Sequence, residues 1–150
     1  MSEARAPRPS RPTLQYQLAG KEDAGSGLLI QVVDDDPDMI KLERTILSGA
    51  GYRTTAAFDA MQGMMIAQRE QPALIIIDLH MPAGGGLALI KKLKTAQKTA
   101  HIPLLVITAD QAKGLPEEAR ALGANEFLLK PVVPEQLLEI VARLVSTEGQ

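Results

Sequence analysis

At 150 residues the chain has room for one domain and a modest tail, and a domain of that size buries about two-thirds of its unfolded surface without disulfide staples. Hydrophobic residues make up 45% and aromatics only 3%, so the core must be aliphatic, and the absence of cysteine excludes thiolate metal sites and a disulfide framework. A net charge of -2 offers no electrostatic basis for bulk nucleic-acid binding, and no apolar run approaches the roughly 20 residues of a membrane span or forms a signal peptide, so a cytoplasmic protein is expected.

Residues 1–27 differ from the rest of the chain. Pro7-Arg8-Pro9-Ser10-Arg11-Pro12 resists helix, because each proline lacks a donor and restricts the residue before it. Gly25-Ser26-Gly27 reads as a joint. The segment is expected to be a flexible tail, with a docking peptide for a partner as the alternative.

From Leu28 the pattern alternates. Leu28 to Val33 is a branched apolar run, expected to be a strand buried on both faces. Asp34-Asp35-Asp36-Pro37 comes next, and an Asp before Pro favours a helix start with Asp36 as N-cap. Met39, Ile40, Ile46 and Leu47 form an apolar stripe, and Gly49-Ala50-Gly51 stops the helix. Tyr52 to Ala57 is the second strand. Asp59 caps a helix to about Arg69, with Met61, Met64, Met65 and Ile66 expected mostly inward as core filler. Leu74 to Ile77 is the third strand, ending in Asp78. Gly84-Gly85-Gly86 leads into a helix through about Ala96. Leu104 to Ile107 is the fourth strand, ending in Thr108. Gly114 and Pro116 interrupt the next helix, which should be short or begin near Pro116 and stop at Gly123. Glu126 to Leu129 is the fifth strand, before Lys130-Pro131. Pro134 opens a last helix with Leu137, Leu138, Val141 and Leu144 on one face.

Five strand–helix units in succession predict a parallel sheet with helices on both faces. Ligand sites in such sheets lie outside the carboxyl ends of the strands. Four of the five ends carry polar groups to that rim: Asp34 and Asp35, Asp78, Thr108, and Lys130. Crowded carboxylates repel, by about 4 kcal/mol per pair at ~4 Å and an effective dielectric near 20. Such a site favours a cation, and oxygen ligands without His or Cys select a hard one such as Mg²⁺. Lys130 adds positive charge for phosphate oxygens, Thr108 a hydroxyl donor, and Asp78 a carboxylate able to act as nucleophile.

The stretches VVDDDP (32–37), IIIDLHMP (75–82) with Gly86, LLVITAD (104–110) and GANEFLLKP (123–131) resemble the response-regulator receiver domain of bacterial two-component signalling. The resemblance covers residues 28–146, leaving tails at 1–27 and 147–150. It implies a flavodoxin-like α/β fold with five parallel strands in the order 2-1-3-4-5. It implies that Asp78 accepts a phosphoryl group. It implies that Mg²⁺ is held by Asp34, Asp35, Asp78 and the backbone carbonyl of His80, with Asp35 as direct ligand and Asp34 acting through water. The residues alone leave the register within the acid run open, and Asp36 could compete. Thr108 matches the switch hydroxyl and Lys130 the phosphoryl-pairing lysine, with a cis bond to Pro131. The implied donor is a sensor histidine kinase or histidine phosphotransfer protein. A chain ending about four residues past the last helix implies output by contact with another protein, with no catalytic turnover of its own.

Three features depart from the family pattern. Phe127 stands three residues before Lys130, where a switching Tyr is common. Gly114-Leu115-Pro116 disturbs the fourth helix, and Gly84-Gly85-Gly86 comes after the acceptor. The side chain of His80, with Asp110, is expected to influence the access of water to an aspartyl phosphate. Competing functions are a hydrolase using Asp78, a nucleotide-binding module, and a phosphorylation-independent scaffold. A hydrolase needs a second acid or base near the acceptor, and Leu79 and Met81 flank His80 instead. A nucleotide site needs a Gly-rich loop where Asp34-Asp35-Asp36 stands.

Overall fold

Leu74-Ile75-Ile76-Ile77 forms a strand in which all four side chains are buried, because helices cover both of its faces. It is the middle strand of the structure, a computed structural model that describes residues 27–81 and 85–148. The elements run β1 (Leu29–Val33), α1 (Pro37–Gly49), β2 (Arg53–Ala57), α2 (Ala60–Glu70), β3 (Leu74–Ile77), α3 (Gly85–Thr95), β4 (Leu104–Thr108), α4 (Leu115–Leu122), β5 (Glu126–Leu129) and α5 (Pro134–Glu148). The strands are parallel, in the order β2-β1-β3-β4-β5, as expected. The order reverses between β1 and β3, so a crevice opens above their carboxyl ends.

Successive strand residues point to opposite faces and feed two aliphatic layers. Ile75, Ile77 and Val106 meet Ile66, Leu89, Leu93 and Ala119 of α2, α3 and α4. Leu74, Ile76 and Leu105 meet Ile40 and Leu47 of α1 and Leu137, Val141 and Leu144 of α5. No helix among the described residues is long and apolar enough to cross a membrane.

Helix α2 departs from expectation. Its buried residues are Gly63, Ile66 and Ala67, while Met61 and Met65 are 75% and 54% exposed and only Met64 packs partly inward. Small residues draw the helix onto the sheet: a Cβ on Gly63 would lie 3.2 Å from Leu89 and 3.3 Å from Val33. The buried Gln31 Nε2 donates to the Gly63 carbonyl at 3.0 Å, fixing that face. In α1 a charged residue, Glu43, shares the buried face of Ile40 and Leu47. Helix α4 is short and begins at Leu115, after Gly114 in the left-handed region (φ 84°). Helix α5 continues to Glu148, two residues past the expected boundary. Of the expected tail, Gly27 is anchored: its N–H donates to Gly51 O, and its carbonyl accepts from Arg53 Nε at 2.7 Å. Residues 1–26, 82–84 (with Gly84 of the expected glycine run) and 149–150 lie outside the described residues.

Candidate functional site

The acid run after β1 divides by hydrogen bonding. Asp34 N donates to Ala57 O, which prolongs the β1–β2 ladder and turns the side chain inward, where it is 1% exposed. Asp34 Oδ1 accepts from Asp36 N, and Asp36 Oδ1 in turn accepts from Asp38 N at 2.9 Å. Asp36 is thus the N-cap of α1, with Pro37 in the first turn, as the sequence predicts. Asp35 is left exposed at the mouth.

Asp78 continues β3 by donating its N–H to Val33 O, and its Oδ1 accepts from His80 N at 3.0 Å. Its side chain is almost fully covered. Carboxylate oxygens of Asp34, Asp35 and Asp78 lie within 4.8 Å of one another. Lys130 N bonds Thr108 O across the β4–β5 edge, and the Lys130–Pro131 peptide is cis. The Lys130 side chain reaches back to place Nζ 3.1 Å from Asp78 Oδ2 and 3.4 Å from Asp34 Oδ2.

Thr108 is fully buried, and its Oγ1 accepts from Asp110 N at 3.2 Å rather than bonding Asp78. The His80 side chain is mostly exposed, with Nε2 3.8 Å from Asp110 Oδ2, so the pair spans the β3 and β4 loops at the mouth. The structure thus brings Asp34, Asp35, Asp78 and Lys130 together and sets Thr108 beside them on the neighbouring strand end.

Burial, and then the nearby Asp78 charge, push the Asp34 carboxyl up to about 6, against the Asp36 N–H and Lys130 that favour its anion. Burial also acts on Asp78, but the His80 N–H and Lys130 outweigh it and hold Asp78 below the usual carboxylate range. For Lys130, burial is outweighed by Asp78 and Asp34, so its ammonium is held more firmly than usual. Three acids facing one ammonium leave negative charge uncompensated, and an all-oxygen donor set of this size fits a hard divalent cation.

Two further residues support the site in ways the sequence does not announce. Glu43, 2% exposed on α1, is pushed up to about 8 by burial and then by the charge of Asp34. Its one sequence signal is a charge on the same helical face as Ile40 and Leu47. Gly86 is the other: a Cβ there would lie 2.5 Å from Leu79 Cα and 2.8 Å from Asp78 O. The first turn of α3 therefore rests directly on the backbone that carries Asp78. Beyond Thr108, the disturbed start of α4 leaves an open groove of about 780 Å³ between α4, β5 and α5, with Pro116, Arg120, Phe127 and Leu129 on its walls.

The family model for the response regulator receiver domain matches residues 30–142. The polar-differentiation response regulator DivK of Brucella ovis is 29% identical over 112 residues, 75% of this chain and 91% of DivK. A putative response regulator from Chloroflexus aurantiacus superposes with a TM-score of 0.76 at 26% identity, over 80% of this chain and 98% of that one. Chemotaxis protein CheY4 of Vibrio cholerae superposes with a TM-score of 0.74 at 28% identity, over 79% and 98%. With the 2-1-3-4-5 sheet and an acid cluster at its carboxyl rim, the chain belongs to the response regulator receiver domain family of two-component signalling.

Proposed function

We propose that this chain is a phosphorylation-controlled signalling module that accepts a phosphoryl group on Asp78. The observation that carries the reading is the meeting of three aspartates within 4.8 Å, with Lys130 3.1 Å from Asp78 Oδ2. An Asp78 carboxylate oxygen attacks the phosphorus of a phosphohistidine. The new P–O bond forms as the P–N bond breaks, and the imidazole leaves with the electron pair and takes up a proton. His80 N–H holds the other carboxylate oxygen, so the nucleophile is oriented before the donor arrives.

Mg²⁺ held by Asp34, Asp35, Asp78 and the His80 carbonyl would supply charge neutralisation for the transferring group. Once Asp78 carries the phosphoryl group as an acyl phosphate, the Lys130 ammonium pairs with the new phosphoryl oxygens, and the Thr108 hydroxyl turns to donate to them in place of its contact with Asp110 N. The His80–Asp110 pair at the mouth limits the access of attacking water. The donor is a sensor histidine kinase or histidine phosphotransfer protein, and the output is a protein contact made in the cytoplasm, without insertion into a membrane or direct binding to nucleic acid. Residues 28–146, with the end of α5, form the receiver unit.

Acetyl phosphate with Mg²⁺ should add one phosphoryl group, read by intact mass. EDTA or Asp78→Ala should abolish it. No adduct on the unaltered protein, or an undiminished adduct on Asp78→Ala, would overturn the reading.

A further inference from the structure

Successive strand residues alternate between the two faces of the sheet, and the alternation carries past the strand ends. Val32 of β1, Ile76 of β3 and Leu128 of β5 all pack in the layer beneath α1 and α5. Two residues beyond them stand Asp34, Asp78 and Lys130, so these three charges rest on that same layer. Helix α1 closes the layer, and its inward face is Ile40, Glu43 and Leu47. Glu43 is therefore a carboxyl set into aliphatic surroundings, 2% exposed and less than roughly two turns from the rim end of the helix at Pro37. Among the described residues its side chain has no hydrogen-bond or ion-pair partner. Phosphoryl transfer to Asp78 gives it no task, and a buried carboxyl without a partner is costly where a leucine would pack freely.

The charges that act on Glu43 come from one direction. They are Asp34 at the end of β1, Lys130 at the end of β5 and Asp78 at the end of β3. The charged residues of the elements around it face water instead: Asp38, Lys41 and Arg44 on α1, Arg53 on β2, and Glu135, Glu139 and Arg143 on α5. Tyr52 is buried in the same layer, but at the far end of α1, where its N–H donates to Leu47 O, and burial raises its phenol above the usual range. The site is thus the source of the charge that Glu43 feels. While Asp34 and Asp78 are anionic they favour a proton on Glu43, and a divalent cation among them reverses that preference.

We propose that Glu43 couples metal loading to a proton: binding of Mg²⁺ among Asp34, Asp35 and Asp78 expels the Glu43 proton to solvent, and the Glu43 anion then strengthens the hold on the cation. This rests on the reading of the rim as a Mg²⁺-dependent acceptor site. The exchange is balanced, since the carboxyl that gives up its proton takes one back when the cation leaves. Its consequence is a receiver whose Mg²⁺ affinity climbs as pH rises through the range in which Glu43 titrates, about 8. By linkage, affinity gains up to about tenfold for each unit by which the cation lowers that pKa.

Isothermal titration calorimetry of the full chain with MgCl₂ at pH 8, in two buffers of different ionisation enthalpy, counts the protons released. Asp34, at about 6, is already ionised there, so Glu43 is the group that remains to be read. The unaltered chain should release approaching about half a proton per Mg²⁺, and Glu43→Gln, which keeps the shape but has no proton to lose, almost none. The Kd for Mg²⁺ should be nearly equal for the two chains at pH 6.5, and at least about threefold weaker for the variant at pH 9. Equal proton release, or equal affinity at pH 9, would overturn the proposal. Absence of Mg²⁺ binding by the unaltered chain would instead remove the reading of the site itself. If Glu43→Gln loses its fold by circular dichroism, Glu43→Leu replaces it, and the same two measurements decide.

Discussion

Lys130 Nζ lies 3.1 Å from Asp78 Oδ2 although β5, which ends just before Lys130, is two strands away from β3 in the sheet. The long side chain crosses above Thr108 and is the ammonium that faces Asp34 and Asp78 together. Removing it leaves two covered carboxylates without their counter-charge, which costs about 3 to 5 kcal/mol for a buried pair. Lys130→Met should therefore lower the melting temperature, and Mg²⁺ should raise it more in the variant than in the unaltered chain. Thermal unfolding with and without Mg²⁺ measures both, and an equal Mg²⁺ increment would contradict the shared-charge account.

Gly86 sits where a methyl would meet Leu79 Cα at 2.5 Å and Asp78 O at 2.8 Å. Both neighbours are backbone, so neither can swing aside, and α3 must lift instead. Gly86→Ala should cost about 1 to 3 kcal/mol by overpacking and slow the acetyl phosphate reaction by moving Asp78. Urea unfolding and the labelling rate check the two effects separately.

Glu43 adds a pH dependence. Its carboxyl is pushed up to about 8 in the folded chain, against 4.5 in ordinary surroundings. Between those values the folded protein keeps a proton that the unfolded chain releases, so this contribution is complete below pH 4.5 and is lost as pH rises through 8. Urea midpoints at about pH 5, 7 and 9 should fall more for the unaltered chain than for Glu43→Leu, by an amount on the order of a few kcal/mol in stability. A parallel fall in both would show that Glu43 is ionised throughout.

The His80–Asp110 contact, 3.8 Å between exposed side chains, predicts a kinetic effect without a chemical one. His80→Ala and Asp110→Ala should alter the lifetime of the aspartyl phosphate severalfold while the adduct still forms. Its decay followed by intact mass tests this, and loss of formation in His80→Ala would contradict it.

The strands and their polar ends were readable because runs such as Leu74–Ile77 are short, branched and bounded by Asp, Gly or Pro, and because Asp36 before Pro37 announces its own helix start. The rim followed from topology once the strand ends were placed. The facing of α2 was not readable. Met61, Met64, Met65 and Ile66 suggest the inner face, yet of these only Ile66 is buried there, beside Gly63 and Ala67, small residues whose value is closeness rather than hydrophobicity. Glu43 was hidden for the opposite reason, since a charged residue at a core position goes against the period that identifies the core. Gly86 belongs to a recognisable stretch, but its physical reason, contact with the Leu79 backbone, exists only after folding.

The most direct test of Asp78 as the acceptor is to locate the phosphoryl group. After labelling with acetyl phosphate and Mg²⁺, borohydride reduction converts a phosphorylated aspartate to homoserine, which peptide mass spectrometry can place. Homoserine is expected at position 78 and nowhere else, dependent on Mg²⁺. Homoserine at position 34 or 35, or none anywhere in a labelled sample, would contradict it.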